Sequence, residues 1–256
     1  MTTIRQNGSL YTNVQNKIAT IEFGHPASNS FPSELLDRLT KELLNLGKNE
    51  NVSVIILKSE GDRAFCAGAS FDELVAISNL EEGKQFFSGF ANVINAMRTC
   101  GKLIIGRVQG KTVGGGVGLA SACDYVLATE NAAIKLSELT IGIGPFVIEP
   151  AVKRKMGLAA MSELTLDATN WKNAYWAKEK GLYAKVFETI NELDEEVEVL
   201  ANKLALYNPK ALDEMKKVLW KNTEDWTDLL IERAKISGEL VLSDFTKKAL
   251  SKFSKK

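Results

Sequence analysis

Between Ile18 and about Ile141, short β-branched runs alternate with helix-like stretches, and past about Pro150 the β signal fades. This change of texture constrains the fold most. Strand-like runs are Ile18-Ala19-Thr20-Ile21-Glu22-Phe23, Val52 to Leu57, Leu103 to Ile105, Tyr125 to Leu127 and Ala133 to Leu136. Between the first two, Leu35, Leu36, Leu39, Leu43 and Leu46 recur with helical period and predict a helix from Ser33 to Leu46. Strand, helix, strand spacing with apolar strands predicts α/β units whose strands are buried. The rest reads as helices: Ala151 to Met156, Ala159 to Asp167, Asn173 to Lys180, Glu192 to Tyr207, Pro209 to Trp220 and a long region from Glu224 to Ser251. The expected organisation is an α/β core over 1-190 followed by a helical region over 191-256, with no repeat or linker between them.

Composition removes whole classes of chemistry. The 256 residues are 45% hydrophobic and carry 32 Lys+Arg against 32 Asp+Glu, so a large core is available and no net charge favours nucleic acid or an anionic membrane. The single histidine, His25, sits in the turn-like Phe23-Gly24-His25-Pro26 with no carboxylate or cysteine at ligand spacing. It reads as structural, no metal site is expected, and proton chemistry falls to carboxylates. Cys66, Cys100 and Cys123 are odd in number and form no Cys-x-x-Cys, which suits a reducing cytoplasm. The N-terminus lacks a signal-peptide apolar core, and no apolar run reaches the roughly 18 residues a span requires. Lys247, Lys248, Lys252, Lys255 and Lys256 cluster in the last ten residues, as a solvated tail or an anion contact.

Three segments carry chemistry. In Gly61 to Leu74, the small residues Ala67-Gly68-Ala69 precede Ser70 and Glu73, whose spacing fits a capping box and predicts a helix start. Such a turn lets a ligand approach backbone N–H groups, or is simply tight. In Gly110 to Asp124, Gly114-Gly115-Gly116 opens a small-residue helix. A phosphate loop fails here because Ile105 stands where its first glycine belongs, and a dinucleotide loop fails at Leu119. A helix N-terminus with bare donors remains, able to hold an anion or oxyanion. In Lys135 to Phe146, Glu138 lies among Leu136, Leu139 and Ile141, where burial would raise its pKa towards the range useful for proton transfer.

Together, Ala64-Phe65-Cys66-Ala67-Gly68-Ala69, Gly114-Gly115-Gly116, Ala122-Cys123-Asp124 and Ser137-Glu138-Leu139 with Gly142-Ile143 and Pro145 resemble the crotonase superfamily of enoyl-CoA hydratases and isomerases. The resemblance runs over essentially the whole chain. It implies a core of repeated β-β-α turns, a helical C-terminal region for trimerisation, an acyl-CoA thioester substrate, and no cofactor. It implies an oxyanion hole from the N–H groups of Ala67 and Gly115, stabilising the enolate formed when a proton moves beside the thioester carbonyl. Gly68, Ala69 and Ser70 match the rest of the CoA-contacting turn, where the family commonly has aspartate at the position of Ser70. Phe253 and Lys256 resemble an aromatic and a lysine offered to the CoA adenine and phosphate, often across a subunit boundary. The resemblance also implies a homotrimer or dimer of trimers.

One departure matters. Hydratases of the family generally use two glutamates; the second aligns with Glu138, while the first aligns with Gly118, which has no side chain. A single glutamate suffices for a 1,3-proton shift, and Ile143-Gly144-Pro145-Phe146 also resembles the isomerases. Glu149 could supply a second carboxylate or merely offset a helix dipole. The expected activity is therefore double-bond isomerisation or hydration/dehydration of an enoyl-CoA, with Glu138 as acid-base. Acyl-CoA decarboxylation, C–C cleavage and a catalytically weak acyl-CoA-binding protein stand as alternatives.

Overall fold

Three long strands of the α/β half are each followed by a short strand in a second sheet and then by a helix or turn. The computed structural model describes residues 7–252. Its six-stranded sheet contains β1 (Ser9–Gln15), β2 (Ile18–Gly24), β3 (Val54–Ser59), β5 (Leu103–Val108), β7 (Tyr125–Thr129) and β9 (Lys185–Phe187), side by side in that order. The β1–β2 pair is antiparallel and the others parallel. A three-stranded sheet holds β4 (Ala64–Cys66), β6 (Lys111–Val113) and β8 (Ile134–Lys135), all parallel. The helices are α1 (Ser33–Lys48), α2 (Phe71–Ala76), α3 (Leu80–Thr99), α4 (Gly115–Ala122), α5 (Glu149–Leu166), α6 (Ala174–Glu179), α7 (Ile190–Ala205), α8 (Pro209–Leu219), α9 (Trp226–Val241) and α10 (Asp244–Ser251).

The predicted β-β-α turns are thus present as β3-β4-α2 and β5-β6-α4, and β7-β8 leads into a 3-10 turn, Glu138–Ile141. Because β4, β6 and β8 pair in register, Cys66 with Thr112 and Thr112 with Ile134, the three segments after them leave the small sheet at one edge. Topology alone therefore gathers Ala67 to Ser70, Gly114-Gly115 and Glu138.

The main core fills the space between the sheets and under α1, α3 and α4, with Phe23, Phe31 and Phe65 packed ring to ring. All five predicted leucines of α1 are buried. On the other face of the large sheet, Leu193, Val197, Ala201 and Ala205 of α7 cover Val54, Ile56, Ile105 and Leu127. The helices beyond residue 190 therefore pack on the α/β part. The long region predicted over Glu224 to Ser251 is two helices, α9 and α10. The two short helices predicted on either side of Gly157 are the halves of α5, which breaks at that glycine (φ 83°, ψ 164°).

One buried charge ties the C-terminal helices to the core. Asp124, just past α4, accepts hydrogen bonds from Lys216 Nζ (2.6 Å), Trp220 Nε1 (2.7 Å) and the Ile104 N–H (2.7 Å). The Lys216 side chain is 1% exposed, so its ammonium depends on that carboxylate. Breaking such a pair leaves an uncompensated buried charge. Asp124→Ala is expected to destabilise the protein by about 3–5 kcal/mol, measured by urea unfolding, and Lys216→Met to cost less than Asp124→Ala.

Candidate active site

Two small-residue turns and one carboxylate converge on a cavity of about 180 Å³. Gly68 has φ 89° and Gly114 φ 53°, backbone conformations that side chains with a Cβ rarely adopt. A Cβ on Gly68 would lie 3.1 Å from the Val113 carbonyl oxygen and 3.6 Å from the Gly115 nitrogen, so the turn after β4 rests directly on the β6–α4 junction. A Cβ on Gly114 would stand 2.9 Å from Glu138 Oε1. Glycine at these positions lets the three segments touch.

Each N–H in the first turn can be accounted for. Ala67 N–H donates to the Ser28 carbonyl (3.1 Å), and Gly68 N–H to Cys66 Sγ (3.3 Å). This corrects the expectation that Ala67 donates to the substrate: its hydrogen is already engaged. The left-handed Gly68 turns the next peptide over, and among the described residues no protein acceptor takes the Ala69 or Gly115 N–H, both in the cavity wall. Within the turn that the resemblance points to, the N–H left free is that of Ala69 rather than Ala67. A glycine before alanine after β4 is the signal, since positive φ at Gly68 re-aims only the peptide on its C-terminal side. Gly115 opens α4, whose far end is met by Lys155 Nζ donating to the carbonyls of Cys123 and Asp124 (both 2.9 Å). The helix dipole is neutralised at that end and left free towards the cavity.

Ser70 caps α2 by accepting from the Glu73 N–H (3.4 Å). The Glu73 carboxylate does not complete a capping box but crosses to α1, accepting from Ser33 N–H (2.9 Å) and Ser33 Oγ (2.6 Å). The short helix beside the cavity is thereby fastened to a long one. Cys66 is buried, and desolvation pushes its thiol up to about 12, so it acts as an acceptor for the turn rather than as a nucleophile.

Glu138 begins the 3-10 turn that ends at left-handed Gly142 (φ 83°). Ile143 N–H donates to the Glu138 carbonyl (3.2 Å), and α10 packs its Phe245 and Thr246 where a Gly142 side chain would be. The residue is half-buried, but its Oε2 is cut off from solvent and has no hydrogen-bond partner. Burial pushes its carboxyl up to about 7. It is the one titratable side chain among the described residues lining the cavity. Where the family's other glutamate would project from Gly118, a Cβ would overlap the side chain of Ile148. Glu149 lies outside this cavity, in a neighbouring depression, 3.7 Å from Lys153. His25 is a turn residue, its Nδ1 accepting from Ala27 N–H (3.2 Å). Phe253 and Lys256 lie outside the described residues.

Comparison with known proteins places this fold in a family. Residues 13–255 match the sequence model of enoyl-CoA hydratase/isomerase, and the chain belongs to that family. It is 30% identical over 211 residues to the peroxisomal Delta(3,5)-Delta(2,4)-dienoyl-CoA isomerase of Arabidopsis thaliana, covering 77% of this chain and 74% of that protein. It is 28% identical to a probable enoyl-CoA hydratase of Bacillus subtilis, with 95% and 94% covered. The crystal structure of enoyl-CoA hydratase from Bacillus halodurans superposes with a TM-score of 0.87 at 21% identity, over 95% of this chain and 99% of that one. The crotonase-like α/β architecture is shown by that likeness.

A raised Glu138 pKa carries a stability consequence with a definite sign. With its carboxyl near 7 in the folded state and near 4.5 unfolded, the native protein binds more protons between those values. Stability therefore falls as pH rises through that window, and the deficit is complete above about pH 7. Glu138→Gln is expected to be more stable than the parent at pH 8 by about 1–3 kcal/mol, with the difference vanishing near pH 4.5. Chemical unfolding at both pH values measures it.

Proposed function

We propose that this enzyme isomerises an enoyl-CoA by a one-carboxylate 1,3-proton shift. The observation that supports it is the Gly118–Ile148 contact, which puts a methyl group where a second acid-base would stand and leaves Glu138 alone. Hydration needs a held and activated water together with a proton donor for the α carbon. Ile148 offers neither, whereas a proton shift needs a single group that takes and returns the same proton.

In this reading the thioester oxygen accepts hydrogen bonds from Ala69 and Gly115 N–H. The Glu138 carboxylate removes a proton from C2 of a 3-enoyl-CoA, the C2–H electron pair delocalises into a dienolate, and the two donors meet the charge that develops on oxygen. Glu138 then delivers the proton to C4, leaving the 2-enoyl product and a carboxylate again. Preorganised donors of this kind are worth about 3–4 kcal/mol each in the transition state. Their value rests on the apolar, water-poor walls around them. The CoA nucleotide is assigned to the C-terminal residues, with Phe253 and Lys256 as its contacts. Trimers belong to the same proposal, supported by bare apolar side chains such as Leu206 just past α7 (86% exposed) and Phe245 on α10 (66% exposed).

Glu138→Gln is expected to lower isomerisation of a 3-enoyl-CoA by about 10²–10⁴-fold while acyl-CoA binding persists. For the parent, kcat/KM should rise with pH through about 7, because Glu138 must be ionised to accept the proton. Hydration of the matching 2-enoyl-CoA should be slower than isomerisation. Unchanged turnover in Glu138→Gln, or hydration as fast as isomerisation, refutes the mechanism; an acyl-CoA complex with the thioester oxygen distant from both nitrogens refutes the oxyanion hole.

A further inference from the structure

The shape and lining of the cavity say more about the acyl group than the reaction does. Its walls carry Phe71, Phe86, Phe87, Phe90 and Phe146, and its polar side chains are Ser137, Glu138 and Ser237. No lysine, arginine or histidine among the described residues lines it. Phe71, at the start of α2, is 37% exposed, whereas Phe86 of α3 and Ser237 of α9 are 5% and 1% exposed. There α3 and α9 meet backbone to backbone. A Cβ on Gly83 would lie 2.9 Å from Gly238 Cα, and a Cβ on Gly238 would lie 2.7 Å from Lys84 N. Gly238 directly follows Ser237, and Gly83 is one helical turn before Phe86 and Phe87. The glycine crossing thus leaves no gap between the helices through which a longer chain could pass.

From this we infer that the site takes a short, uncharged acyl group whose far end stops against Phe86 and Ser237. The size argument is direct: an apolar cavity of about 150 Å³ accommodates a benzene. The 180 Å³ here, part of it given to the thioester carbon and oxygen, leaves room for a chain of about four to six carbons. The charge argument is independent of size. A carboxylate at the inner end would be stripped of water with no cation to meet it, in the same cavity as the Glu138 carboxylate. Acyl groups ending in a carboxylate are therefore rejected even when they fit.

The inference rests on the acyl-CoA reading of the site, and its test is made independent of turnover by using saturated acyl-CoAs, which bind without reacting. Isothermal titration of the full-length protein with butyryl-, hexanoyl-, octanoyl-, decanoyl- and adipyl-CoA is expected to show tightest binding at butyryl or hexanoyl. Decanoyl-CoA should bind about tenfold or more weakly than hexanoyl-CoA, and adipyl-CoA, with the same carbon count as hexanoyl, about a hundredfold more weakly. Phe86→Ala should move the preferred length upward. Ser237→Leu, which fills the inner end instead of hollowing it, should move it downward and keeps the test available if Phe86→Ala does not fold. Decanoyl- or adipyl-CoA binding as tightly as hexanoyl-CoA, or no change of preferred length in a folded variant, overturns the inference. If none of the five binds, the acyl-CoA reading itself falls, whereas selective binding without isomerisation of any 3-enoyl-CoA leaves the inference standing and removes only the proposed chemistry.

Discussion

Everything at the site depends on the parallel pairing of three very short strands. β4, β6 and β8 contribute three, three and two residues, and each comes after a longer strand buried in the large sheet. None would hold its position alone, because so few ladder bonds cannot offset the entropy of ordering the chain. The large sheet fixes where each begins, and their mutual register fixes where each ends. Two N-terminal turns and a carboxylate from positions some seventy residues apart in sequence are thereby brought to one edge. A register slip of one residue would reverse the direction of every side chain beyond it.

The same edge explains why glycine recurs there. Side-chain volume at Gly68, Gly114 or Gly115 would separate the turns from each other, from Glu138 or from Phe90. These glycines lose more backbone freedom on folding than other residues would, which weakens the folded state. In return the N–H groups of Ala69 and Gly115 stay free at the wall of an apolar cavity. Unpaired donors in such a place are unfavourable in the resting protein, as is the unpartnered Oε2 of Glu138. The rest of the fold makes good that cost, through the Asp124 cluster and the covered faces of both sheets. Strain and desolvation concentrated where a ligand would relieve them are the expected trade between stability and activity.

Legibility in the sequence tracks element length and exposure. α1 declares itself because five leucines on one face are all buried. The buried strands β2, β3, β5 and β7 are visible as β-branched runs. β1 escapes because it is an edge strand with most of its side chains in solvent, so no alternation marks it. β4 and β6 are too short for any period to register. α3 escapes because it packs on α1 and α9 at once, which spreads its apolar residues round the helix and blurs the stripe. Within the site, Glu138 and Gly115 are readable from motif and chemistry. That the Ala69 N–H, and not that of Ala67, stays free is not, since it turns on a single left-handed peptide.

Gly118 and Ile148 make the strongest case for reading absence through packing. Taken in sequence, Gly118 only says that a carboxylate is missing, and a missing group can be replaced from elsewhere, by Glu149 for example. In the structure Glu149 faces another depression and pairs with Lys153, while Ile148 occupies the volume that a side chain on Gly118 would need. An isoleucine cannot hold a water between itself and a substrate alkene, and it lines the same cavity as the one carboxylate that remains. Burial brings Glu138 to about 7, where, in the proposed mechanism, it is both basic enough to take a proton from carbon and acidic enough to give it back. Packing at Gly118 thus leaves no room for a second carboxylate there, and burial raises the one that lines the cavity.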